Sequence, residues 1–469
     1  NELMYREPNG SWQSVRPTQA EQNIWFSDIF KDRENNIWLG SLNEGLWFAH
    51  SGKVERHQVG PTINQGVTAI TQATDGKVWA SSRLGIGVLN TLGEYQQVLA
   101  MQQLKRRQVF DLEFQGERLY LGTDKGVLLY EQGQVYTLPF IELRDNPVFS
   151  ISPSNKGGLW LGTGRGLYRL DYAGLTPFAY NSFLGSQYIT FVLDLPNFGF
   201  IGTNKGAYQY NERGIEKLGG HTALDVAYIT SILHLDDVST LIGSRSHGLF
   251  YQTKKGDWLQ LDASNGLPYG SINSLHYDKK FEQIWVGTKK GVYRMPAAQF
   301  TQSINNLQVE QVISQFDRQL DGKASQCCSG FGHDAVMETE SSIWYPSSQG
   351  VVEIPKDVQL FGADDLQPKL EALYTKERRI PSSSLKDTIV LGNGERDITI
   401  KYTAIDFYAP KSIEFRYRLS GKEKSEWRDT STGQEAIYTN LPPGENVFEL
   451  EVKRRGQDWT KARTKQVAI

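Results

Sequence analysis

The side chains through which this chain could do chemistry fall into three groups. The first is a pair of adjacent cysteines, Cys327 and Cys328, in the segment QCCSGFGHD. Adjacent thiols can close only a strained eight-membered ring, which would be a reducible switch in an oxidising compartment; the plainer reading is two free thiols in a structural loop. A metal site built with His333 would need more ligands than lie near it. The remaining histidines, His50, His57, His221, His234, His247 and His276, are scattered with no zinc spacing and no nucleophile motif beside them. The second group is basic: Arg83, Lys125, Arg165, Lys205, Arg245 and Lys290 all sit in glycine-flanked turns. A ring of like charge at a concave mouth would draw an anionic or polyhydroxylated ligand, whereas in the plainer reading exposed turns merely tolerate Lys and Arg. The third group is acidic: Asp111, Asp194 and Asp225 are candidates for inward carboxylates, which lyase or glycosidase chemistry would require as a focused acid and base.

The elements that must position these groups are repeats. An apolar pair, Gly-Ser or Gly-Thr, a short gap, then Gly and another apolar run recurs as IWLGSLNEGLW, VWASSRLGIGV, LYLGTDKGVLL, LWLGTGRGLY, FIGTNKGAY, LIGSRSHGLF, IWVGTKKGVY and IWYPSSQGVV. The anchors Gly40, Ala80, Gly122, Gly162, Gly202, Gly243, Gly287 and Pro346 are spaced by 40, 42, 40, 40, 41, 44 and 59 residues. Upstream of the phrase lie alternating segments such as VTAITQA, VFDLEFQ, VFSISPS, ITSILHL and INSLHYD, and alternation of period two is a strand signal. Four antiparallel strands in about 40 residues make one propeller blade. The first Gly allows neighbouring strands to approach, the second permits positive φ in the turn between strands two and three, and the aromatic of the pair packs between blades. The fold class is therefore all-β, with a single β-propeller over residues 1–357. The opening LMYREPNGSWQSV reads as two outer strands that would complete the last blade, giving eight blades; seven, with one repeat left outside the ring, is the alternative. Residues 358–385 read as a polar connector, and 386–469 as a small immunoglobulin-like β-sandwich.

Composition excludes several partners. The net charge of -3, with 22 % charged residues, gives no reason to expect nucleic acid or an anionic membrane surface. No apolar stretch approaches the ~20 residues of a membrane span, so the chain reads as a soluble piece. The repeated glycines sit between strands and never open a helix, so no phosphate-binding loop is present, and no cofactor or metal is expected.

The blade phrase followed by this sandwich resembles the periplasmic sensor region of bacterial two-component regulators and of propeller-bearing diguanylate cyclases. Asp75, Gly76, Val78, Trp79 and Gly85 or Gly87 follow the family's blade pattern in one unit, and NGLPYGSINSL is similar to its Gly-Leu-Pro connector. The family's C-terminal sandwich is named for three tyrosines (Y_Y_Y). Here FRYRLSG supplies Tyr417 and IYTNLPPG supplies Tyr438, while Asn446 stands at the expected third position; Trp427 and the YTNLPPG phrase keep the match specific. The resemblance implies a periplasmic location and no catalysis by this region. It also implies further blades and a signal peptide upstream, and a membrane helix downstream leading to a cytoplasmic kinase or cyclase. The expected function is ligand sensing: the propeller face binds a small molecule or oligosaccharide, and the sandwich forms a homodimer that relays the signal. A protein-interaction scaffold is the second reading and a lyase or glycosidase the third.

Overall fold

The computed structural model describes residues 3–6, 12–15, 25–32, 37–43, 45–49, 54–60, 66–90, 93–235, 239–253, 255–262, 264, 267, 270–289, 291–301, 307, 309–314, 327–330, 335–358, 366–385, 388–392, 394–406, 413–421, 426–430, 433–454, 459 and 463–469. They fall into two compact units, 53–315 with 324–358, and 1–52 with 316–323 and 359–469.

The first unit is a ring of seven four-stranded antiparallel sheets. The innermost strands of blades 1 to 6 are Val67–Gln72, Val109–Gln115, Val148–Pro153, Ile189–Asp194, Ile229–Leu235 and Ser274–Asp278. Blade 7 is built from Met337–Glu338, Ser342–Ser347, Gly350–Pro355 and, from the other end of the chain, Glu55–His57. The closing strand pairs His57 with Val351 and Glu55 with Glu353. His57 bonds Glu353 at 2.8 Å and stacks on Trp344 with ring centroids 4.9 Å apart.

Among the described residues the blade count is thus seven, the alternative reading, and not eight. Glu55–His57 takes the edge of Gly350–Pro355, which leaves no ladder there for the Leu3 segment. Leu3–Arg6 pairs instead with Trp12–Val15, and the first copy of the phrase forms a three-stranded sheet of Phe26–Lys31, Ile37–Ser41 and Leu46–Ala49 in the second unit. By register Ile29 and Leu46 correspond to Leu112 and Val127 of blade 2, which are buried, yet they are 57 % and 68 % exposed.

The second unit also holds the sandwich. One sheet orders Arg379–Pro381, Pro368–Tyr374, Ile398–Ala404 and Glu435–Tyr438; the other orders Arg428–Thr430, Ile413–Ser420, Val447–Arg454 and Arg463–Ala468. The expected connector 358–385 therefore supplies a central strand. Pro368, Leu370 and Ala372 alternate inward, and a proline is tolerated at the first position of a strand. Tyr402, rather than the residue at 446, joins Tyr417 and Tyr438: ring centroids lie 6.0 Å apart for Tyr402–Tyr417 and 6.1 Å for Tyr417–Tyr438. Asn446 fastens the C-terminus through backbone bonds with Ile469 at 2.9 and 2.7 Å.

Candidate functional site

The repeated phrase builds the mouth face of the ring. In blade 3, Thr163 Oγ1 donates to the Gly166 carbonyl at 2.8 Å and accepts the Arg165 N–H at 3.0 Å. Lys125 and Lys205 are held the same way by Thr123 and Thr203. The hydroxyl of the phrase is thus committed to the turn. Gly166 has φ +116, and a Cβ on Gly162 would meet the carbonyl oxygen of Ile189 in the next blade at 2.9 Å. The turns of blades 2 to 5 are tied to the connector entering their own blade, as where Arg245 N–H donates to Tyr228 O at 3.0 Å.

In the innermost strands of blades 1 to 5, one residue near the start sits on a β-bulge and leaves the strand's alternation. These residues are Thr68, Phe110, Phe149, Thr190 and Thr230, between register breaks at Val67/Ala69, Val109/Asp111, Val148/Ser150, Ile189/Phe191 and Ile229/Ser231. Where the residue is threonine, its hydroxyl donates across the seam to the next blade: Thr68 to Val109 O at 2.9 Å, Thr190 to Ile229 O at 2.7 Å and Thr230 to Ile272 O at 2.7 Å. At the last two seams Asn273 Nδ2 donates to Cys328 O, and Ser329 Oγ to Val67 O at 2.6 Å. Away from the mouth, Asn155 Nδ2 also donates to Leu195 O across the seam of blades 3 and 4. At the mouth, five of the seven seams among the described residues carry a side-chain bond to a backbone carbonyl. The two exceptions are adjacent, at Phe110 and Phe149, whose rings can donate nothing.

Those two phenylalanines face a cavity of about 190 Å³ completed by Thr190, Tyr228, Ile229, Thr230 and Arg245. Phe110 and Phe149 lie 5.4 Å apart at 33°, and Phe149 and Tyr188 5.7 Å apart at 34°, so three consecutive blades present a fan of rings. The Arg245 guanidinium lies over the Tyr228 ring, 4.3 Å from its centroid. Burial pushes the Tyr228 hydroxyl pKa up, against the opposing effect of Arg245, so it is protonated at neutral pH.

Of the basic residues expected at the mouth, Arg245 alone among the described ones lines this cavity. Arg83, Lys125, Arg165 and Lys205 are exposed at their turn tips, and Lys290 lies outside the described residues, as does His333. The sequence reading passed over Phe110, Phe149, Tyr228, Thr190 and Thr230. Their signal was the second residue of VTAITQA, VFDLEFQ, VFSISPS and ITSILHL, which switches from Thr to Phe and back.

The three carboxylates do structural work. Asp111 is fully buried and accepts the Ile151 N–H of the next blade at 2.7 Å. Asp194 lies between blades 3 and 4 and accepts bonds from Trp160 Nε1 (2.7 Å), Tyr210 Oη (2.7 Å), Asn155 N (3.0 Å) and Ser154 Oγ (3.1 Å). Burial and that carboxylate push the Tyr210 pKa far up. Asp225 accepts the His221 N–H at 2.8 Å. Cys327 and Cys328 are buried free thiols; Cys328 has φ 66, and burial raises its pKa well above the usual thiol value. Glu55, His57 and Glu353 bring ligand-type atoms within 4.8 Å of one another at the ring closure, a grouping that residue spacing did not reveal.

Residues 406–469 match the Y_Y_Y domain family. No curated protein matches the chain. Among solved structures it is similar to the extracellular domain assigned to the hybrid two component system BT3049 of B. thetaiotaomicron, at 16 % identity over 98 % of this chain and 74 % of that one, with a TM-score of 0.42. The extracellular domain assigned to the one component system BT4673 of the same organism gives 16 %, 99 %, 66 % and 0.48. Virginiamycin B lyase from Staphylococcus aureus gives 14 %, 64 %, 98 % and 0.47. The C-terminal residues 406–469 are a Y_Y_Y domain, carried on the same chain as a seven-bladed β-propeller.

Proposed function

We propose that this chain is the extracytoplasmic sensor region of a membrane-bound signalling receptor and is not itself an enzyme. The propeller mouth binds a small ligand, and the Y_Y_Y sandwich relays occupancy by dimerisation to a cytoplasmic kinase or diguanylate cyclase. The observation that carries the reading is the break in the ring of seam bonds at the mouth. Two adjacent blades give up a stabilising polar contact for aromatic side chains that line a cavity, and departures from a fold's own local rule gather at functional sites. The Y_Y_Y match at the other end of the chain supports an output through association. A ligand can shift such an equilibrium only by its differential affinity for the two association states.

The test is sedimentation of the purified chain, with and without a panel of oligosaccharides and anionic metabolites, alongside thermal denaturation. Under this reading at least one compound raises the melting temperature and shifts the monomer–dimer balance together. Compounds that bind the propeller while leaving association unchanged would refute the relay.

A further inference from the structure

We propose that the mouth cavity takes a small aromatic carboxylate, with its ring against Phe110 and Phe149 and its carboxylate on Arg245. This deepens the sensor reading and rests on the same site.

The hydrogen-bonding inventory of the cavity decides against a sugar. Thr190 and Thr230 each own one hydroxyl proton, and both protons are used across the seams to Ile229 O and Ile272 O. From those two positions a ligand meets acceptors only. Phe110, Phe149 and Ile229 offer no side-chain polar atom at all. A pyranose would leave the hydroxyls it turns toward those walls without partners, each at a cost of roughly 1–3 kcal/mol. An aromatic ring loses nothing on leaving water and gains from edge or offset packing against the two phenylalanines, which are already fanned at 33° to each other.

Size and charge agree. A dry apolar cavity of about 150 Å³ holds benzene, so about 190 Å³ suits one ring with a small substituent. Arg245 lies over Tyr228 with its guanidinium carbon 4.3 Å from the ring centroid, which places at the cavity a group whose N–H donors suit bidentate capture of a carboxylate. The protonated Tyr228 hydroxyl adds a neighbouring polar group with a proton to give. The site is therefore apolar at one end and cationic at the other, which is the polarity of an aromatic acid.

Isothermal titration of the full chain with benzoate, phenylacetate, benzamide and glucuronate tests this. Benzoate or phenylacetate is expected to bind saturably, with benzamide weaker by roughly tenfold or more because it lacks the charge. Glucuronate, which keeps the carboxylate but not the apolar ring, is expected to be weaker still. Arg245→Gln should remove the preference for benzoate over benzamide, Arg245→Lys should retain part of it, and Phe149→Ala should weaken both. Arg245 is exposed, so its variants report on the site without unfolding the blade. Failure of both aromatic acids to bind, or binding that Arg245→Gln and Phe149→Ala leave unchanged, would overturn the proposal. Tighter binding of glucuronate than of benzoate would overturn the ligand class while leaving the sensor reading to its own sedimentation test.

Discussion

Replacing Phe149 by threonine separates the structural and ligand-binding accounts of the mouth. Threonine already occupies the equivalent bulge at residues 68, 190 and 230, so the backbone accepts it. In Phe149→Thr the new hydroxyl can donate to Ile189 O, the carbonyl equivalent to those bonded at the neighbouring seams. That bond contributes about 1 kcal/mol. Against it stands lost packing. Removing a fully buried phenylalanine costs about 3–5 kcal/mol, but Phe149 is only half-buried and threonine keeps part of its volume, so the loss is about 1–2 kcal/mol. The two nearly cancel, leaving a net change of about 1 kcal/mol or less and a melting-temperature shift of about 2–4 °C at most. Benzoate affinity, by contrast, should fall by roughly tenfold or more, because the ring wall is gone. Thermal denaturation and titration on the same preparation read both quantities. A destabilisation of core size, about 3 kcal/mol or more, would mean that Phe149 is a packing residue, and unchanged affinity would mean that the cavity is not the site.

Thr230→Val keeps the shape of a working seam but leaves Ile272 O without its 2.7 Å bond, and should lower stability by about 1–2 kcal/mol in thermal denaturation. In the sandwich, hydrogen bonds from Arg378, followed by the Gly392 N–H, hold the Glu395 carboxyl at about 2 against a usual 4.5. A depressed carboxylate stabilises the fold above its unfolded value and loses that effect as pH falls through the folded one. The sandwich should therefore weaken between about pH 4.5 and 2, and Glu395→Gln should flatten that part of the curve measured by tryptophan fluorescence. Cys327 and Cys328 are buried, with the Cys328 thiol held protonated, so both should resist a thiol reagent until the chain is denatured. The intact mass should be the same before and after reduction; rapid labelling of the native protein would contradict this placement.

Much of this architecture was legible because the determinants are local. A blade needs its Thr-x-x-Gly turn and its small residue at the seam, and Thr163, Gly166 and Gly162 announce both within a few residues. The cavity was not legible, for a physical reason. Strand alternation assigns every second residue to one face, and the residue at each bulge escapes that assignment. Phe110 and Phe149 looked like ordinary members of alternating strands, and only the bulge turns them toward the mouth. The basic turns repeat faithfully in sequence, and among the described ones Arg245, over Tyr228, is the one that lines the cavity.

Ring closure shows where a repeat stops being informative. Eight copies of a phrase do not imply eight blades, because membership of the ring is decided by pairing between edges and not by the phrase. The segment that decides it is the three-residue strand Glu55–His57, which carries no copy of the phrase and pairs with residues 351–353, almost the whole ring away in sequence. Nothing local in Glu55–His57 distinguishes a fourth strand for its own repeat from a closing strand for the last one. What favours the latter is long-range: the His57–Glu353 bond, the stack on Trp344, and the bond from Arg56 to Gln349 at 2.8 Å. Once these are made the edge is satisfied, and the first copy of the phrase is left to form a three-stranded sheet of its own. The same logic governs the mouth. At the mouth, five seams satisfy a carbonyl with a side chain from the neighbouring blade, and the two that do not are those where Phe110 and Phe149 line the cavity.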